Sequence, residues 1–315
     1  MKIRKDFFVL AFIMLFSVFF NSCGENNKSG DGTSDVVETE SSADSTSISD
    51  TAESGEYTDY IKKDGEYINK DTLSYYCVSN EIFIKPETKV TGIVLEFPGL
   101  GGHSCLGGNM DNMFAYSSDF AKECAKKGIV LAYTFPGPWS WMNKGAVRVI
   151  DLIVDAYMDK YGWSDEEDFT LTVMGGSMGG QGALIYTIDS RHTVDACVAH
   201  CPCYNVLECF SNQQSFPRAF ISAVNAYDMP LEEALKLISP EHRIDEMPDI
   251  PYIVTGDELD DCFPIKGTEN FVSQMKEADL DVQYMFLEGQ QHGGLSGEDR
   301  NTIEQFIFKY SKVSE

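Results

Sequence analysis

The chain has 315 residues, of which 43% are hydrophobic, and it carries a formal net charge of −26. A chain of this length and hydrophobic content can form one sizeable domain together with an unstructured segment. The strong acidic excess argues against a nucleic acid as a partner, and against binding to an anionic membrane surface by charge.

Residues 1–22 have the pattern of a signal peptide. Three basic residues among the first five precede an apolar run over residues 7–20, which is too short to span a membrane comfortably. A small residue stands immediately before Cys23, and this arrangement resembles the lipidation signal of a bacterial lipoprotein. The resemblance implies an exported protein that is anchored to the membrane at the bacterial cell surface by a lipid on Cys23. Ordinary signal cleavage and an uncleaved anchor are the alternatives.

Residues 23–56 are rich in Ser, Thr, Asp and Glu and contain almost no side chain that a core could bury. Such a segment cannot recover the entropy lost on ordering, and we predict a disordered acidic tether. The folded domain is therefore expected to occupy residues 57–315.

Nine cysteines occur in the chain, and eight remain if Cys23 is lipidated. An even number in an exported protein is compatible with disulfides, but the sequence does not give the pairing, and buried thiols are equally compatible. Only one residue separates Cys201 from Cys203, whereas a zinc knuckle or redox motif has two, so we expect no metal site here.

The elements alternate between strand and helix once the tether ends. Residues 57–85 are predicted to form short strands and turns. The strands that follow are predicted at 91–97, 129–135, from 170, 194–200, 250–255 and 282–287. The helices between them are predicted at about 111–127, at 144–161, directly after residue 177, at 266–279 and at 298–310. This alternation predicts an α/β fold with a mostly parallel, doubly wound sheet. Residues 204–246 interrupt the alternation and are predicted to form a small inserted cap.

The sequence Gly175-Gly-Ser177-Met-Gly179 lies where a predicted strand turns sharply into a helix. This is the pattern of a nucleophile elbow, in which a strained turn raises a serine hydroxyl above the sheet. Glycines are needed there because a Cβ on either side would collide with the turn. Ser177 is thus a candidate nucleophile, and the helix N-terminus that follows offers N–H groups to a developing oxyanion.

A serine nucleophile needs a base, and the base needs a carboxylate that orients it. Two later loops supply these groups, and both leave the carboxyl end of a strand, at the same edge of the sheet as Ser177. The loop after 250–255 is acidic, and the loop after 282–287 contains His292. Serine, acid and histidine in this chain order are typical of one fold of hydrolases.

On these motifs the chain resembles the α/β-hydrolase superfamily, and within it the esterase and prolyl-oligopeptidase-like branch, over about residues 85–312. The resemblance implies that His292 is the general base. It also implies that Asp260 is the acid, because the family's D-x-x-(aliphatic)-Pro pattern falls on it, with Phe263 in the aliphatic position. Asp261 is the principal alternative for the acid, and Asp257 and Glu258 are weaker ones.

The oxyanion hole is expected to use the backbone N–H of Met178, directly after the nucleophile. The Gly-rich turn after the strand at 91–97 resembles the family's His-Gly-x-Gly-Gly turn, and the resemblance implies that this turn supplies the second donor. Leu100 is the first choice for that second donor, and Gly101 is the next. A phosphate site in the same turn is disfavoured, because the turn has no basic residue and no nucleotide-binding motif. No cofactor and no metal are implied.

Four further residues are candidates for substrate binding because they lie near the carboxyl ends of predicted strands. For His103 and His200 a pocket-lining or structural role is expected. Trp139 and Trp141 are suited to stacking on a sugar ring or an acyl chain, or to packing beneath the cap.

The sequence therefore predicts a serine hydrolase that cleaves a carboxylic ester through an acyl-enzyme, with an acylated carbohydrate as one candidate substrate. A peptidase of the prolyl-oligopeptidase type is the alternative, although the segment before residue 85 is shorter than the β-propeller of those peptidases. A non-catalytic surface binding protein on a hydrolase scaffold is a third hypothesis.

Overall fold

The computed structural model describes residues 65–100, 117–165, 167–212 and 216–313. The predicted signal peptide, the tether and the lipidation site at Cys23 lie outside these residues.

Seven strands form a single sheet, and six of them run parallel. In chain order the strands are β1 Cys77–Ser79, β2 Gly92–Phe97, β3 Ile129–Thr134, β4 Thr170–Gly176, β5 Ala196–His200, β6 Tyr252–Asp257 and β7 Val282–Leu287. Their spatial order is β1-β3-β2-β4-β5-β6-β7, and β1 pairs antiparallel to β3. The predicted α/β-hydrolase fold, with its mostly parallel sheet, is confirmed.

Most of the central strands are buried on both faces. Every residue of β3 and β6 is buried, and β5 is buried up to its last residue. This is the burial expected of parallel strands that are covered by helices on both sides. The edge strand β7 is instead buried only at its two end residues, Val282 and Leu287, and its four middle residues are half-buried or exposed. The Val- and Ile-rich runs of the sequence therefore form the middle layer of the fold.

Eight α-helices accompany the sheet within the described residues. They are α1 Asp119–Lys126, α2 Lys144–Tyr161, α3 Met178–Asp189, α4 Val206–Asn212, α5 Pro217–Val224, α6 Leu231–Leu237, α7 Ile265–Glu277 and α8 Gly297–Tyr310. The helix predicted at 144–161 has these bounds because local signals define both ends. Asn143 accepts a hydrogen bond from the N–H of Ala146 at the start, and Gly162 takes a left-handed conformation at the end. No helix among the described residues is both long enough and apolar enough to cross a membrane.

The described part of the segment predicted at 57–85, residues 65–85, contains one strand where several short ones were predicted. Of its described part, Leu73–Tyr75 and Glu81–Phe83 are 3-10 helices, and only β1 joins the sheet. β1 is ordered by pairing with β3, which lies more than 50 residues away along the chain. The local sequence contains no signal for pairing with so distant a strand, so the position of β1 could not be predicted.

The residues predicted as an inserted cap contain α4, α5, α6 and a 3-10 segment, Pro240–Glu246. Buried Arg243 links this segment to α3, because its guanidinium donates to the carboxylates of Asp189 at 2.7 and 2.9 Å and of Glu246 at 2.7 Å. In the middle of the predicted cap, the Asn143 amide donates to the Ala223 carbonyl of α5 at 2.8 Å. The predicted cap is therefore attached to the helices on one face of the sheet.

Candidate active site

Ser177 occupies the turn between β4 and α3. Its backbone angles are φ 59° and ψ −121°, a conformation that non-glycine residues rarely adopt. The N–H of Ser177 donates to the carbonyl of His200 at 3.0 Å, so the end of β5 holds the strained turn in place. The turn presents the serine as the sequence motif predicts.

Two glycines of the motif are required by close backbone contacts. A Cβ on Gly179 would lie 2.2 Å from the carbonyl oxygen of Phe97, and a Cβ on Gly175 would lie 2.5 Å from the backbone of Gly179. The first turn of α3 thus packs directly against the end of β2, which brings the turn after β2 next to the serine.

Ser177, His292 and Asp260 form a continuous hydrogen-bonded series. His292 Nε2 lies 2.9 Å from Ser177 Oγ, and His292 Nδ1 lies 2.8 Å from Asp260 Oδ2. An ionised carboxylate can only accept a hydrogen bond, so Nδ1 carries the proton of the neutral ring and Nε2 is left to accept from the serine hydroxyl. This tautomer is the one that a general base needs.

Asp260, and not Asp261, faces the histidine. The Asp260 side chain is 2% exposed, and its second oxygen accepts from the backbone N–H groups of Cys262 at 2.7 Å and Phe263 at 2.8 Å. Asp261 is exposed, and the contact it makes is with the Cys262 thiol at 3.7 Å. Backbone donors therefore orient the carboxylate toward the imidazole.

Two further acids, Asp257 and Glu258, lie with Asp260 in residues 257–264 (the acid loop). Both contact residues 288–294, which contain His292 (the histidine loop). Asp257 Oδ2 accepts from the N–H of Gly293 at 2.7 Å, and Glu258 Oε2 accepts from the N–H of Gly289 at 2.7 Å. Asp257 is 1% exposed, and its Oδ1 has no hydrogen-bond partner among the described residues. Burial raises the pKa of Asp257, opposed mainly by the charge of His200. The sequence suggested both residues only as weaker candidates for the acid. It did not indicate that they hold the loop that contains His292.

His200 lies directly beside the elbow. Its Nδ1 is 2.7 Å from Thr255 Oγ1, which also accepts from the N–H of Cys201. Burial lowers the pKa of His200. Its ring lines a cavity of about 280 Å³ together with Glu96 and Arg300, so it is held by the end of β6 and reaches a cavity on the α8 side of the sheet.

The aromatic candidates separate in the structure. Trp141 is buried against Phe220 of α5, with ring centroids 4.3 Å apart, and therefore packs beneath the predicted cap. Trp139 is 42% exposed. Phe263, which the sequence did not single out, meets the His292 ring edge to face at 5.2 Å.

Two of the predicted oxyanion donors, Met178 and Leu100, lie among the described residues. Met178 is the first residue of α3, where a helix N–H has no partner within the helix. In the turn after β2, a Cβ on Gly99 would lie 3.9 Å from the Cβ of Ser177, and Leu100 follows it. The second choice, Gly101, lies outside the described residues, as does His103.

One group of side chains at the site has the spacing of possible metal ligands. Donor atoms of Cys201, Asp257, Asp260 and His292 all lie within 4.8 Å of one another. Hydrogen bonds engage three of them, because Asp260 pairs with His292 and Asp257 pairs with Gly293. The contacts of Asp260 and His292 are those that acid–base catalysis requires.

Comparison with known proteins identifies the family of the chain. Residues 140–313 match the model of the prolyl oligopeptidase family. Comparison with curated protein sequences gives no match.

Three solved structures illustrate the likeness of fold. The acylaminoacyl peptidase of Pyrococcus horikoshii is 17% identical with a TM-score of 0.56, over 74% of this chain and 39% of that one. The dipeptidyl peptidase 4 of Porphyromonas gingivalis is 14% identical with a TM-score of 0.52, over 74% of this chain and 33% of that one. Est1E of Butyrivibrio proteoclasticus is 12% identical with a TM-score of 0.52, over 74% of this chain and 93% of that one. The chain thus spans well under half of the length of the two peptidases.

Proposed function

Since the chain belongs to the prolyl oligopeptidase family of serine hydrolases, we propose that Ser177 is its nucleophile and that it cleaves a carboxylic ester through an acyl-enzyme. The observation that carries this proposal is the pair of contacts at His292, 2.9 Å to Ser177 Oγ and 2.8 Å to Asp260 Oδ2. These contacts support a nucleophile, a general base that exchanges a proton with it, and a carboxylate that orients the base.

The reaction follows from these contacts. Ser177 gives its proton to His292 Nε2 as Oγ attacks the ester carbonyl, and Asp260 stabilises the imidazolium that forms. The proton then passes to the leaving alcohol, and the acyl group stays on Oγ. A water molecule, deprotonated by the same nitrogen, then attacks the acyl-enzyme. His292 returns that proton to Ser177 Oγ as the carboxylic acid leaves, and the free enzyme is restored.

The negative charge on the tetrahedral intermediate needs preorganised donors. We assign one donor to the N–H of Met178, because it begins α3 directly after the nucleophile. We assign the second to the turn after β2, with Leu100 as the first choice and Gly101 as the next. The closeness of Gly99 to Ser177 supports this assignment.

Two substrate classes follow from the comparisons. The esterase Est1E is matched over 93% of its chain, whereas the two peptidases are matched over 39% and 33% of theirs. A carboxylic ester, with acylated carbohydrates among the candidates, is therefore the first class to test. The family match itself favours a peptide substrate as the second candidate.

A covalent fluorophosphonate probe tests the assignment of the nucleophile. The wild type is expected to be labelled, and Ser177→Ala is expected to lose the label. Ser239→Ala is the matched control, because Ser239 also contacts a histidine, with its Oγ 2.9 Å from His242 Nδ1, but lies outside the proposed site. Equal labelling of wild type and Ser177→Ala would refute the proposal, and an unlabelled, folded wild type would favour a non-catalytic binding protein.

A substrate panel separates the two activities. Para-nitrophenyl esters of increasing acyl length and aminoacyl-proline anilides are compared by kcat/KM on the same enzyme preparation. Higher kcat/KM for esters, abolished in Ser177→Ala, supports the esterase. Turnover of the anilides with only background ester cleavage would favour the peptidase.

We further propose that the protein is exported and anchored by a lipid on Cys23, as the sequence pattern of residues 1–23 suggests. The full-length protein is then expected in the membrane fraction of the producing cell, and Cys23→Ala in the soluble exported fraction. Retention of Cys23→Ala in the membrane would instead support an uncleaved anchor.

A further inference from the structure

Two cysteines touch at the start of the predicted cap. Cys203 Sγ and Cys209 Sγ are 3.6 Å apart, and the side chains are 0% and 8% exposed. Both are present as thiols. A disulfide has an S–S distance of about 2.05 Å, so bonding requires the two atoms to approach by about 1.5 Å.

The backbone around these cysteines is held in place on both sides of the pair. Asn205 caps the start of α4, since its Oδ1 accepts from the N–H of Glu208 at 2.8 Å. The N–H of Val206 donates to Ser239 Oγ at 3.0 Å, and the N–H of Cys209 donates to the Asn205 carbonyl at 3.1 Å. Cys203 lies just before this cap and Cys209 in the helix, so the fold keeps the two sulfur atoms adjacent.

We propose that Cys203 and Cys209 form a disulfide that ties the start of α4 to the segment leaving β5, with a low-molecular-weight disulfide such as oxidised glutathione as the oxidant. One protein thiolate attacks the glutathione disulfide and releases one glutathione. The second protein thiolate then attacks the mixed disulfide and releases the other. The protein dithiol is oxidised by two electrons, and one glutathione disulfide is reduced to two thiols.

The surroundings of the pair predict that oxidation is slow. Burial raises the pKa of Cys203 well above its ordinary value, and the thiolate is the attacking species in exchange. The rate is therefore expected to rise with pH. The same burial protects the bond from reductants once it has formed.

A competing partner lies in the acid loop. Cys262 lies close to this pair, because, besides burial, its charge contributes to the raised pKa of Cys203 and the charge of Cys209 contributes to the raised pKa of Cys262. Cys262 is also more exposed than either of them. Its backbone N–H donates to Asp260. A bond from Cys209 to Cys262 would tie α4 to the loop of the acid, and the experiment must distinguish the two pairings.

Glu208 lies between the two cysteines and makes peptide mapping decisive. The full-length protein is incubated with oxidised glutathione at mildly alkaline pH, alkylated, and digested with trypsin and a glutamate-specific protease. Cleavage after Glu208 yields residues 192–208 and 209–218 as separate peptides. We expect these peptides to be joined, with fragmentation assigning the bond to Cys203. An alkylated, unjoined 209–218 peptide, or one joined to the peptide of Cys262, would overturn the proposal.

Thermal unfolding gives a second readout. The bond closes a loop of about seven residues and is expected to raise the Tm of the oxidised wild type over the reduced form by about 5–9 °C. Cys209→Ser should lose this difference, and the matched control Cys262→Ser should keep it. An equal Tm difference in Cys209→Ser, or its loss in Cys262→Ser, would refute the pairing.

Discussion

Replacing Asp260 by asparagine isolates the role of the buried carboxylate with almost no change of shape. In the wild type, one oxygen accepts from two backbone N–H groups and the other accepts from His292 Nδ1. The asparagine oxygen can satisfy the two backbone donors, and the amide NH2 must then face the ring. An NH2 group only donates, so Nδ1 has to become the acceptor.

The consequence for the base is a change of tautomer. With Nδ1 accepting, the proton of the neutral ring moves to Nε2, which faces Ser177 Oγ at 2.9 Å. That nitrogen can no longer take the serine proton. The corresponding substitution in a well-studied Ser-His-Asp enzyme lowers kcat about 10⁴-fold, equivalent to about 5 kcal/mol of transition-state stabilisation. We expect a loss of this order in Asp260→Asn.

The assay is the initial rate of para-nitrophenyl acetate hydrolysis, with circular dichroism to verify folding. Asp261→Asn is the matched control, because this neighbouring carboxylate is exposed. Its rate should stay within about twofold of the wild type, since surface substitutions have small effects. The reasoning is refuted if folded Asp260→Asn keeps more than a tenth of the activity, or if Asp261→Asn loses as much.

Three further predictions concern residues around the triad. Asp257→Ala should lower kcat by up to about 100-fold, because the loop that carries His292 loses a contact that holds it in place. Asp257→Asn should recover most of this activity, because its amide oxygen can still accept from the N–H of Gly293. Steady-state kinetics of the two variants test this difference. Burial raises the pKa of Glu96 to about 7, so the folded state binds this proton more tightly than the unfolded state does. The free energy of unfolding should therefore fall by at most about 3 kcal/mol as pH rises from 4.5 to 7. Urea titrations should show a weaker dependence of this free energy on pH in Glu96→Gln, and the same dependence as in the wild type would contradict the prediction. Gly179→Ala should yield no soluble folded protein because its Cβ would meet backbone at 2.2 Å, whereas Gly145→Ala, whose nearest neighbour would lie at 3.4 Å, should express normally.

The sequence predicted those features whose signals are local. Helix α2 has its predicted bounds because its apolar stripe, its capping Asn143 and its terminal Gly162 lie within one stretch of chain. The elbow could be located because the turn requires glycine on both sides of Ser177. The choice of Asp260 came from resemblance to a family pattern, and the structure supplies its physical cause, since the backbone N–H groups of the acid loop point at that carboxylate.

Features that depend on contacts between distant segments could not be predicted in the same way. Whether Trp141 faces a substrate or the core depends on where α5 folds back, and α5 lies about 75 residues further along the chain. The support that Asp257 gives to Gly293 spans 36 residues. Its position in the sequence, directly after a strand and in an acidic run, suggested only another candidate for the triad acid.

The arrangement of β6 and β7 explains why Asp260 and His292 are held in a fixed position relative to each other. The two strands are adjacent and parallel, with Asp257 paired to Leu287, so their loops leave the sheet side by side. Further contacts then join the loops, among them the N–H of Leu259 donating to the Gln290 carbonyl at 2.8 Å. Because Asp260 and His292 are fixed relative to each other in this way, a shift of either strand would move both together. The contact most sensitive to such a shift is therefore the one from His292 to Ser177, because Ser177 follows a different strand, β4.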